Sequence, residues 1–541
     1  MANSMEQASN APAASVERFD AIVIGAGVSG LYQLYKLREL GLKVRCLEDG
    51  GGVGGTWYWN RYPGCRFDSE SETYGYSFSK ELLQEWNWKE HYSGQPENER
   101  YLNYAADKFD LRRDIQFNAH VISAVFDEKT NQWEVGLENG QRMRAQFVVA
   151  AVGILSARNI PKFEGIESFK GLSYHTSRWP KERVDFTGKR VAVIGTGATA
   201  VQLIPIIAKE VGHLTVFQRT PNYCAPLRNS LVDEETQQRF KATYPEIHKR
   251  IRETSGGFLH DVDRRKTIDV PREERLAFYE QLWKEPGFKK WLGNFVDIMT
   301  DRVANEDFAE FVRNKIRARV KDPVVAEKLV PKDHPFGSKR IPLETEYYEA
   351  YNRNNVLLVD IKETPLERIT PRGIKTSDKE YEFDVIIYAT GFDAITGSLT
   401  RIDIRGEGGQ SLKDKWAGGM RTYLQLQVAG FPNFFIGSST AFCNYTVCAE
   451  AIVEWIAECI RYVRDKNYSR IVPTQQAEDA WVEHSEKVGS RTLLGSANGW
   501  FVGGNIEGKA RHFLLYANPA PAFRAKINDA AAKGYEGFVL Q

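Results

Sequence analysis

An apolar run and the glycine-rich turn that follows it decide the fold: Phe19-Asp20-Ala21-Ile22-Val23-Ile24-Gly25-Ala26-Gly27-Val28-Ser29-Gly30. This order predicts a strand that enters a G-x-G-x-x-G turn and continues as a helix over residues 31–40. Residues 43–47 then alternate like a second strand, which ends at Glu48. In such a unit the glycines let the backbone approach a pyrophosphate, and the helix N-terminus stabilises its charge.

The same order of strand, turn and helix occurs again from residue 189. A second apolar strand, residues 189–194, leads into Gly195-Thr196-Gly197-Ala198-Thr199-Ala200. A helical pattern follows over 201–211, and a strand over 213–217 ends at Gln218-Arg219. Alanine is permitted at the third glycine position of this motif. The sequence therefore predicts two dinucleotide sites; the alternative for either is a glycine-rich turn in some other α/β sheet.

The residue that ends the second strand differs in charge between the two units. Glu48 can accept hydrogen bonds from ribose hydroxyls and would repel a 2′-phosphate, so the first site suits FAD or NAD. Arg219 has the opposite charge and suits the 2′-phosphate of NADP. Arg219 alone could be a surface arginine, but beside its own glycine turn it favours an NADP site.

Two further segments complete the organisation of the chain. Residues 384–393 form an apolar strand that runs into a small-residue turn, as in flavoproteins whose chain returns from an NADPH domain to a flavin domain. Alone, this strand could be any buried strand. The charge-rich segment from residue 227 has apolar residues at helical spacing, for example over 305–320, and predicts a helical insertion.

These patterns predict an α/β protein with two Rossmann-like dinucleotide-binding domains, the organisation of two-dinucleotide-binding flavoproteins, and a helical insertion. We expect a disordered tail at 1–18 and an FAD-binding domain built from 19–152 and 391–541. We expect an NADP-binding domain built from 153–226 and 332–390, with the insertion at 227–331.

The composition narrows the class of partner. Lys plus Arg is 72 and Asp plus Glu is 71, so the formal net charge is +1, which argues against binding to nucleic acid or an anionic membrane through bulk charge. The mean hydropathy is -0.44, and no apolar run approaches the roughly 20 residues of a membrane span. The 6 cysteines include no C-x-x-C pair, so we expect no disulfide framework, no zinc site and no other metal site. With an N-terminus that lacks the pattern of a secretory signal, this predicts a cytoplasmic protein.

Two longer motifs identify a family. Residues 169–180 match F-x-G-x-x-x-H-x-x-x-W-P through Phe169, Gly171, His175 and Trp179, between the two glycine turns. Residues 55–68 match G-x-W-x-x-x-x-[FY]-P-G-x-x-x-D, with Asp68 as the last position. From about residue 19 to the C-terminus the chain resembles type I Baeyer–Villiger monooxygenases, such as phenylacetone, steroid and cyclohexanone monooxygenases. The second motif separates these from N-oxygenating flavin monooxygenases.

The resemblance implies a reaction and its small molecules. NADPH reduces FAD, the reduced flavin takes up O₂ as a C4a-peroxyflavin, and this attacks a ketone to give an ester or lactone, with sulfoxidation as a side activity. A small-molecule ketone is then the partner, and we expect a monomer with no obligate protein partner. The alternatives are an N- or S-oxygenating flavin monooxygenase, or a flavin redox sensor that has lost catalysis. The combination of Asp68, Lys339, Arg340 and Trp500 argues against the sensor, since a mere binder does not need all four.

The resemblance also implies roles for individual residues. Arg340 falls on the catalytic arginine, whose charge would stabilise a peroxide and later an oxyanion, and Asp68 falls on the carboxylate beside it. His175 resembles a hinge residue that couples the domains; a satisfied structural histidine is the alternative. With the glycine motifs, the resemblance assigns to FAD Gly25, Gly27, Ser29, Gly30, Glu48, Gly55, Thr56, Trp57, Asp68, Tyr74 and Val121. It assigns to NADP Arg66, Gly195, Thr196, Gly197, Ala198, Thr199, Ala200, Arg219, Thr220, Lys339, Arg340 and Trp500.

One segment departs from the family pattern. Residues 436–445, which in relatives often form a loop with a Gly-Pro pair that shapes the ketone pocket, lack that pair here and are a few residues shorter. The physiological ketone and the side of the carbonyl that receives oxygen therefore do not follow from the resemblance. A shorter loop predicts a pocket open to bulkier ketones.

Overall fold

The computed structural model describes residues 16–541. In it, the strand that leads into the first glycine-rich turn lies inside an eight-stranded sheet. The strand Glu17–Ile24 pairs in parallel with Val44–Leu47 on one side and Arg142–Ala150 on the other. Residues 21–24 are buried, as expected for a parallel strand covered on both faces. The remaining strands of this sheet are Ile115–Gln116, Val121–Asp127, Gln132–Leu137, Asp403–Arg405 and Phe434–Ile436.

The second glycine-rich turn leaves a separate five-stranded sheet in which every pairing is parallel. Its central strand Arg190–Ile194 lies between His213–Gln218 and Val385–Tyr388, and all four residues of the latter are buried. The outer strands are Val356–Asp360 and Leu172–His175. The predicted α/β class with two Rossmann-like domains is confirmed.

Three smaller sheets account for the other strands of the described residues. Leu366–Thr370, Gly373–Thr376 and Glu380–Glu382 form an antiparallel sheet. Two-stranded pairs join Ala225–Pro226 to Leu343–Glu344 and Ile471–Pro473 to Phe538–Leu540. The first of these pairs brackets the predicted insertion, since its two strands are the last before it and the first after it.

Helices fill the segment between Pro226 and Leu343, all of which the structure describes. They are Glu234–Glu253, Arg272–Lys284, Lys289–Leu292, Arg302–Arg317 and Pro323–Leu329, with a 3₁₀ turn at Thr267–Asp269. The long helices begin at acidic caps: the Asp233 side chain accepts the Thr236 N–H at 2.8 Å, and Asp301 accepts the Val303 N–H at 2.8 Å.

The other helices cover the two main sheets and close the C-terminal part. They are Val28–Glu39, Thr56–Trp59, Ser71–Tyr74, Lys80–Glu85, Gln95–Lys108, Ala198–Ile207, Tyr347–Ala350, Gly397–Thr400, Leu412–Lys415, Tyr445–Asp465, Gln475–Gly489 and Ala520–Ala532. Further 3₁₀ turns are Arg112–Asp114, Ile166–Ser168, Thr176–Arg178, Glu407–Gly409, Leu493–Ser496 and Trp500–Val502.

Two boundaries and one covalent bond differ from expectation. The helices predicted to begin at 31 and 201 begin at Val28 and Ala198, inside the glycine turns. The first strand begins at Glu17, so the predicted tail of 1–18 is too long by two residues, and residues 1–15 lie outside the described part. A disulfide joins Cys443 and Cys448, which the cysteine spacing did not predict, while four cysteines are free and buried.

None of the helices within residues 16–541 has both the length and the apolar composition that a membrane span requires.

Two buried glutamates, Glu72 and Glu450, and the half-buried Glu70 make the fold sensitive to pH. Burial raises the pKa of Glu70 and Glu450 to about 7 and that of Glu72 to about 8, because each carboxylate would be charged in a site of low polarity. A glutamate in an unfolded chain titrates near pH ~4.3. Between these values the folded chain binds more protons than the unfolded chain, so the free energy of unfolding falls as pH rises.

We expect Glu72→Gln to flatten this dependence, because glutamine keeps the shape and cannot ionise. Each such group contributes a slope of at most about 1.4 kcal/mol per pH unit. The melting temperature of the wild type, measured from about pH 5 to about pH 8, should fall more steeply than that of the variant. Exposed Glu483 provides the control, and equal slopes for Glu72→Gln and Glu483→Gln would contradict the interpretation.

Candidate active site

The two glycine-rich turns face one continuous cavity. Its volume is about 1580 Å³, and both turns contribute to its wall. A pocket for one drug-sized ligand measures roughly 300–1,000 Å³. The space therefore suits two extended molecules that meet between the turns.

The first turn is built for close backbone approach. A Cβ added at Gly30 would lie 1.8 Å from the carbonyl oxygen of Gly25, so glycine is required there. The Glu48 carboxylate accepts the N–H groups of Ala26 at 2.7 Å and Gly50 at 2.8 Å, which orients it beside the turn. Burial raises the pKa of Glu48, and these hydrogen bonds oppose the rise.

The second turn has the same backbone geometry, but its third position accepts a residue larger than glycine. Gly195 has φ +108°, and a Cβ there would lie 2.5 Å from the carbonyl oxygen of Ala389. Ala200 is fully buried without displacing the turn, so a methyl group is accepted. Thr196 Oγ1 donates to the carbonyl oxygen of Thr220 at 3.1 Å and joins the turn to the end of the next strand.

Positive charge collects in one part of the cavity wall, which we call the basic end. It consists of Arg219, Lys339 and Lys362. Burial lowers the pKa of Lys339, Asp333 opposes this, and the cations Arg219 and Lys362 add to it. A bound anion reduces the mutual repulsion of three cations around one space, and a phosphate is such an anion.

An ion pair with a buried carboxylate lies in the wall of the cavity that both turns share. The guanidinium of Arg340 donates to Asp68 Oδ2, and the other carboxylate oxygen, Oδ1, has no partner among the described residues. The Asp68 side chain is 2% exposed, whereas 32% of the Arg340 side chain is exposed. Burial raises the pKa of Asp68, and the charge of Arg340 opposes the rise. The ring of Phe288 lies 5.7 Å from the Arg340 guanidinium.

The insertion positions the segment that carries Arg340. Asn305, in the helix Arg302–Arg317, donates to the Phe336 carbonyl oxygen at 2.8 Å and accepts the Phe336 N–H at 2.9 Å. Gly337 has φ +78°, and a Cβ there would lie 2.5 Å from Nε1 of Trp291. This turn therefore places Lys339 and Arg340 by backbone contacts to a helix that lies elsewhere in the sequence.

Aromatic side chains hold the wall on the side of the first turn. Trp57 Nε1 donates to the hydroxyl of Tyr74 at 2.8 Å, and the rings of Phe67 and Tyr74 lie 4.1 Å apart. Gly55 has φ +53°, and a Cβ there would lie 2.9 Å from Cα of Gly27. The turn that contains Gly55 thus packs against the first glycine-rich turn at this wall.

Most of the predicted site residues line the cavity. Those in its wall are Gly25, Gly27, Ser29, Glu48, Gly55, Thr56, Trp57, Arg66, Asp68, Tyr74, Val121, Gly195, Thr196, Gly197, Ala198, Thr199, Arg219, Thr220, Lys339, Arg340 and Trp500. Gly30 and Ala200 lie beneath the turns. The signature residues Phe169, Gly171, His175 and Trp179 are outside the wall, although Ser177 and Arg178 of the same segment contribute to it. Burial lowers the pKa of His175 to about 4, so its ring is neutral near pH 7.

Several wall residues were not predicted. Arg178 lies 3.8 Å from the ring of Trp59, and Lys362 joins the basic end. Phe288, Trp291 and Phe442 form an edge-to-face series beside Arg340, with ring centroids 5.8 Å and 5.6 Å apart. Charge and position after a strand could have indicated Lys362. The aromatic residues carry no local signal, because only folding brings Phe288 and Trp291 of the insertion together with Phe442 of the loop 436–445.

The site fits the two dinucleotides that the sequence suggests. Two turns that exclude a Cβ leave backbone next to the cavity, as a pyrophosphate requires. The acidic residue at one turn suits a ribose, and the basic end at the other suits a 2′-phosphate.

Known proteins agree with this geometry. A family model described as flavin-binding monooxygenase-like matches residues 20–224. The chain is 49% identical over 534 residues to 2-oxo-Δ3-4,5,5-trimethylcyclopentenylacetyl-CoA monooxygenase of Pseudomonas putida, covering 96% of this chain and 98% of that one. It is 42% identical over 526 residues to a Baeyer–Villiger monooxygenase of Pseudooceanicola batsensis, covering 96% of each chain. The chain belongs to the Baeyer–Villiger monooxygenase family. A crystal structure of OTEMO in complex with FAD and NADP superimposes with a TM-score of 0.94 at 49% identity, covering 97% of this chain and 100% of that one.

This Baeyer–Villiger monooxygenase uses FAD, NADPH and O₂, as the sequence predicted. The resemblance drawn from residues 55–68 and 169–180 is thereby confirmed.

The glycines provide a test that separates the two cofactor sites. Gly30→Ala should lose bound flavin, because its Cβ would overlap the Gly25 carbonyl oxygen. Gly197→Ala meets no protein atom within 4 Å, so it should keep the flavin and raise the KM for NADPH by crowding the coenzyme alone. Flavin absorbance per protein and KM for NADPH are the measurements. Full flavin content in Gly30→Ala would refute the first assignment.

Proposed function

We propose that Arg340 and Asp68 are the catalytic residues with which this monooxygenase converts a ketone into an ester or lactone. The observation that carries the proposal is the pair itself: a buried carboxylate holds a partly exposed guanidinium in the wall between two dinucleotide sites. When bound, the flavin, reduced by NADPH, supplies one oxygen atom of O₂ to the ketone.

The role of Arg340 follows from its charge. Oxygen transfer to a carbonyl places negative charge on oxygen twice, before the attack and in the adduct. A guanidinium fixed in a site of low polarity stabilises such charge far better than water-exposed groups do. Asp68 fixes the plane of the guanidinium, and its single hydrogen bond to Arg340 leaves other N–H groups free to donate.

We assign the cofactors to the two turns. Gly25, Gly27 and Ser29 would hold the FAD pyrophosphate, and Glu48 would accept hydrogen bonds from its ribose. The second turn would hold the NADPH pyrophosphate, and Arg219, Lys339 and Lys362 would hold its 2′-phosphate. Trp500, which begins the 3₁₀ turn Trp500–Val502 in the cavity wall, would pack against the NADPH.

We propose that the ketone occupies the space between Arg340 and the aromatic series of Phe288, Trp291 and Phe442. These rings present an apolar surface to the hydrocarbon part of the ketone, while its carbonyl oxygen faces Arg340. Phe442 belongs to the shorter loop 436–445 and packs 5.9 Å from Phe501, so the loop remains part of the wall.

We place the reaction in one chain and in the cytoplasm. Both glycine turns, Arg340 and Asp68 line a single cavity of one chain, so no second copy is needed to complete it. Four of the six cysteines are free, and no C-x-x-C pair is present, which suits a reducing compartment despite the one disulfide, Cys443–Cys448. We divide the chain into cofactor domains at the predicted boundaries, because the strands of each main sheet come from the segments assigned to that domain.

Arg340→Ala should separate flavin reduction from oxygen transfer. NADPH should still bleach the flavin absorbance, while ester formation falls about 10²- to 10³-fold, the usual cost of removing a group that stabilises an oxyanion. Exposed Arg405→Ala is the control and should retain wild-type ester formation. Ester production by Arg340→Ala at the wild-type rate would overturn the assignment.

Arg219→Ala and Lys339→Ala should each raise the KM for NADPH about tenfold, the effect of losing one charge-assisted hydrogen bond to phosphate of about 1.4 kcal/mol. The KM for NADH should change little, because NADH has no 2′-phosphate. Stopped-flow reduction with both coenzymes measures this. A parallel loss for NADH would show that the two residues only support the fold.

A further inference from the structure

A line of polar contacts runs from the basic end of the cavity to the backbone of the catalytic arginine. Lys362 Nζ lies 3.4 Å from Asp333 Oδ2, and Asp333 Oδ1 lies 2.7 Å from His334 Nδ1. His334 Nε2 lies 3.3 Å from Asn222 Oδ1. Asn222 Nδ2 donates to the carbonyl oxygen of Arg340 at 3.0 Å. All five residues line the cavity, so one end of this line meets the coenzyme and the other meets the reaction site.

The donors and acceptors along this line determine what the histidine must do. The Arg340 carbonyl oxygen only accepts hydrogen bonds, so the amide nitrogen of Asn222 must face it and the amide oxygen must face His334. The Asp333 carboxylate on the other side also accepts. His334 therefore has an acceptor at each ring nitrogen. A neutral ring carries one N–H and satisfies one of them, whereas a protonated ring satisfies both.

The surroundings of the ring favour the neutral form in the free enzyme. The His334 side chain is 2% exposed, and its ring packs edge-on against Tyr223 at 5.4 Å. Burial lowers the pKa of His334 to about 4, the nearby cations Lys339 and Lys362 lower it further, and Asp333 opposes them. One of the two acceptors is therefore without a donor until negative charge is added beside the lysines.

The NADPH 2′-phosphate would bring that charge, given the cofactor placement proposed above. It neutralises Lys339 and Lys362, and so removes two of the groups that disfavour a proton on the ring. We propose that His334 is a positioning residue that links recognition of the NADPH 2′-phosphate to the placement of Arg340, through Asp333 and Asn222. With NADPH bound, the ring donates on both sides and holds Asn222 against the Arg340 carbonyl oxygen. With NADH the ring stays neutral and gives its one N–H to Asp333, the nearer and charged acceptor, so the hydrogen bond from His334 to Asn222 is not made.

The consequence is that the 2′-phosphate acts on catalysis as well as on binding. At saturating coenzyme, the wild type should form ester faster with NADPH than with NADH, by about fivefold or more, the lower range of coupling between two ligand sites. Ordinary phosphate recognition alone would change the KM and leave the kcat equal.

His334→Phe tests this link, because phenylalanine keeps a ring against Tyr223 and removes both nitrogens. In the holoenzyme, its kcat for ester formation with NADPH should fall to the value with NADH. Its KM for NADPH should stay within about twofold of wild type, since Arg219 and Lys339 remain. Asn222→Leu breaks the line at its other end. It should likewise lower the kcat with NADPH to the value with NADH, so that the ratio of the two kcat values becomes one.

Tyr223→Phe is the matched control. It keeps the ring beside His334 and removes only the hydroxyl to which Arg313 donates at 2.9 Å, so the kcat ratio should remain that of wild type. Flavin absorbance per protein verifies that each variant is folded. A wild-type kcat ratio in folded His334→Phe would overturn the proposal, as would a raised KM with an unchanged kcat.

A second measurement does not depend on turnover. Calorimetry of NADP⁺ and NAD⁺ binding, in buffers of different ionisation enthalpy, counts the protons taken up by the holoenzyme. With NADP⁺ the wild type should take up more protons than His334→Phe, by up to one; protonation of the phosphate itself is common to both proteins. Equal uptake would overturn the link. If the wild type shows the difference but oxidises no ketone, the proposed function fails while the link stands.

Discussion

The ion pair between Arg340 and Asp68 is the constraint on which the rest of the site depends. Asp68 follows the first glycine unit, whereas Arg340 lies after the insertion, so the pair joins parts of the chain separated by 272 residues. A buried carboxylate without its cation would be costly, and a mobile cation would not stabilise charge at a defined point. The two halves must therefore close over one cavity, with the first glycine-rich turn in one half and the second in the other.

The helical insertion serves this pair more than it serves either sheet. Asn305 holds the backbone of Phe336, four residues before Arg340, and Phe288 lies against the guanidinium. The same segment supplies Phe288 and Trp291, two of the three rings of the aromatic surface next to the cation. A charged group beside apolar rings is weakly hydrated, and this raises its effect on nearby negative charge. The insertion thus sets both the position of Arg340 and the polarity around it.

Local sequence was sufficient where the backbone itself imposes the choice. The two glycine turns were predictable because a Cβ at Gly25 or Gly195 would meet a carbonyl oxygen at 2.5 Å. The acidic and basic strand ends were predictable because they directly follow buried strands. The two hydrogen bonds between Asn305 and Phe336 and the aromatic wall were not predictable, since each depends on contacts between segments with no shared pattern. The Cys443–Cys448 bond is local in sequence, but its C-x-x-x-x-C spacing is not a motif that predicts a disulfide. The signature histidine, His175, was predictable by motif, yet it lies outside the cavity wall.

The sequence by itself determined the α/β class, the two dinucleotide turns and the preference of each for acidic or basic neighbours, because these follow from strand periodicity, the absence of a Cβ and formal charge. Only the tertiary structure decided how Arg340 meets Asp68 and why Asn222, His334 and Lys362 belong to the same site. Hydrogen bonds and ion pairs act over about 3 Å, and residues far apart in sequence come within that distance only when the whole chain is folded.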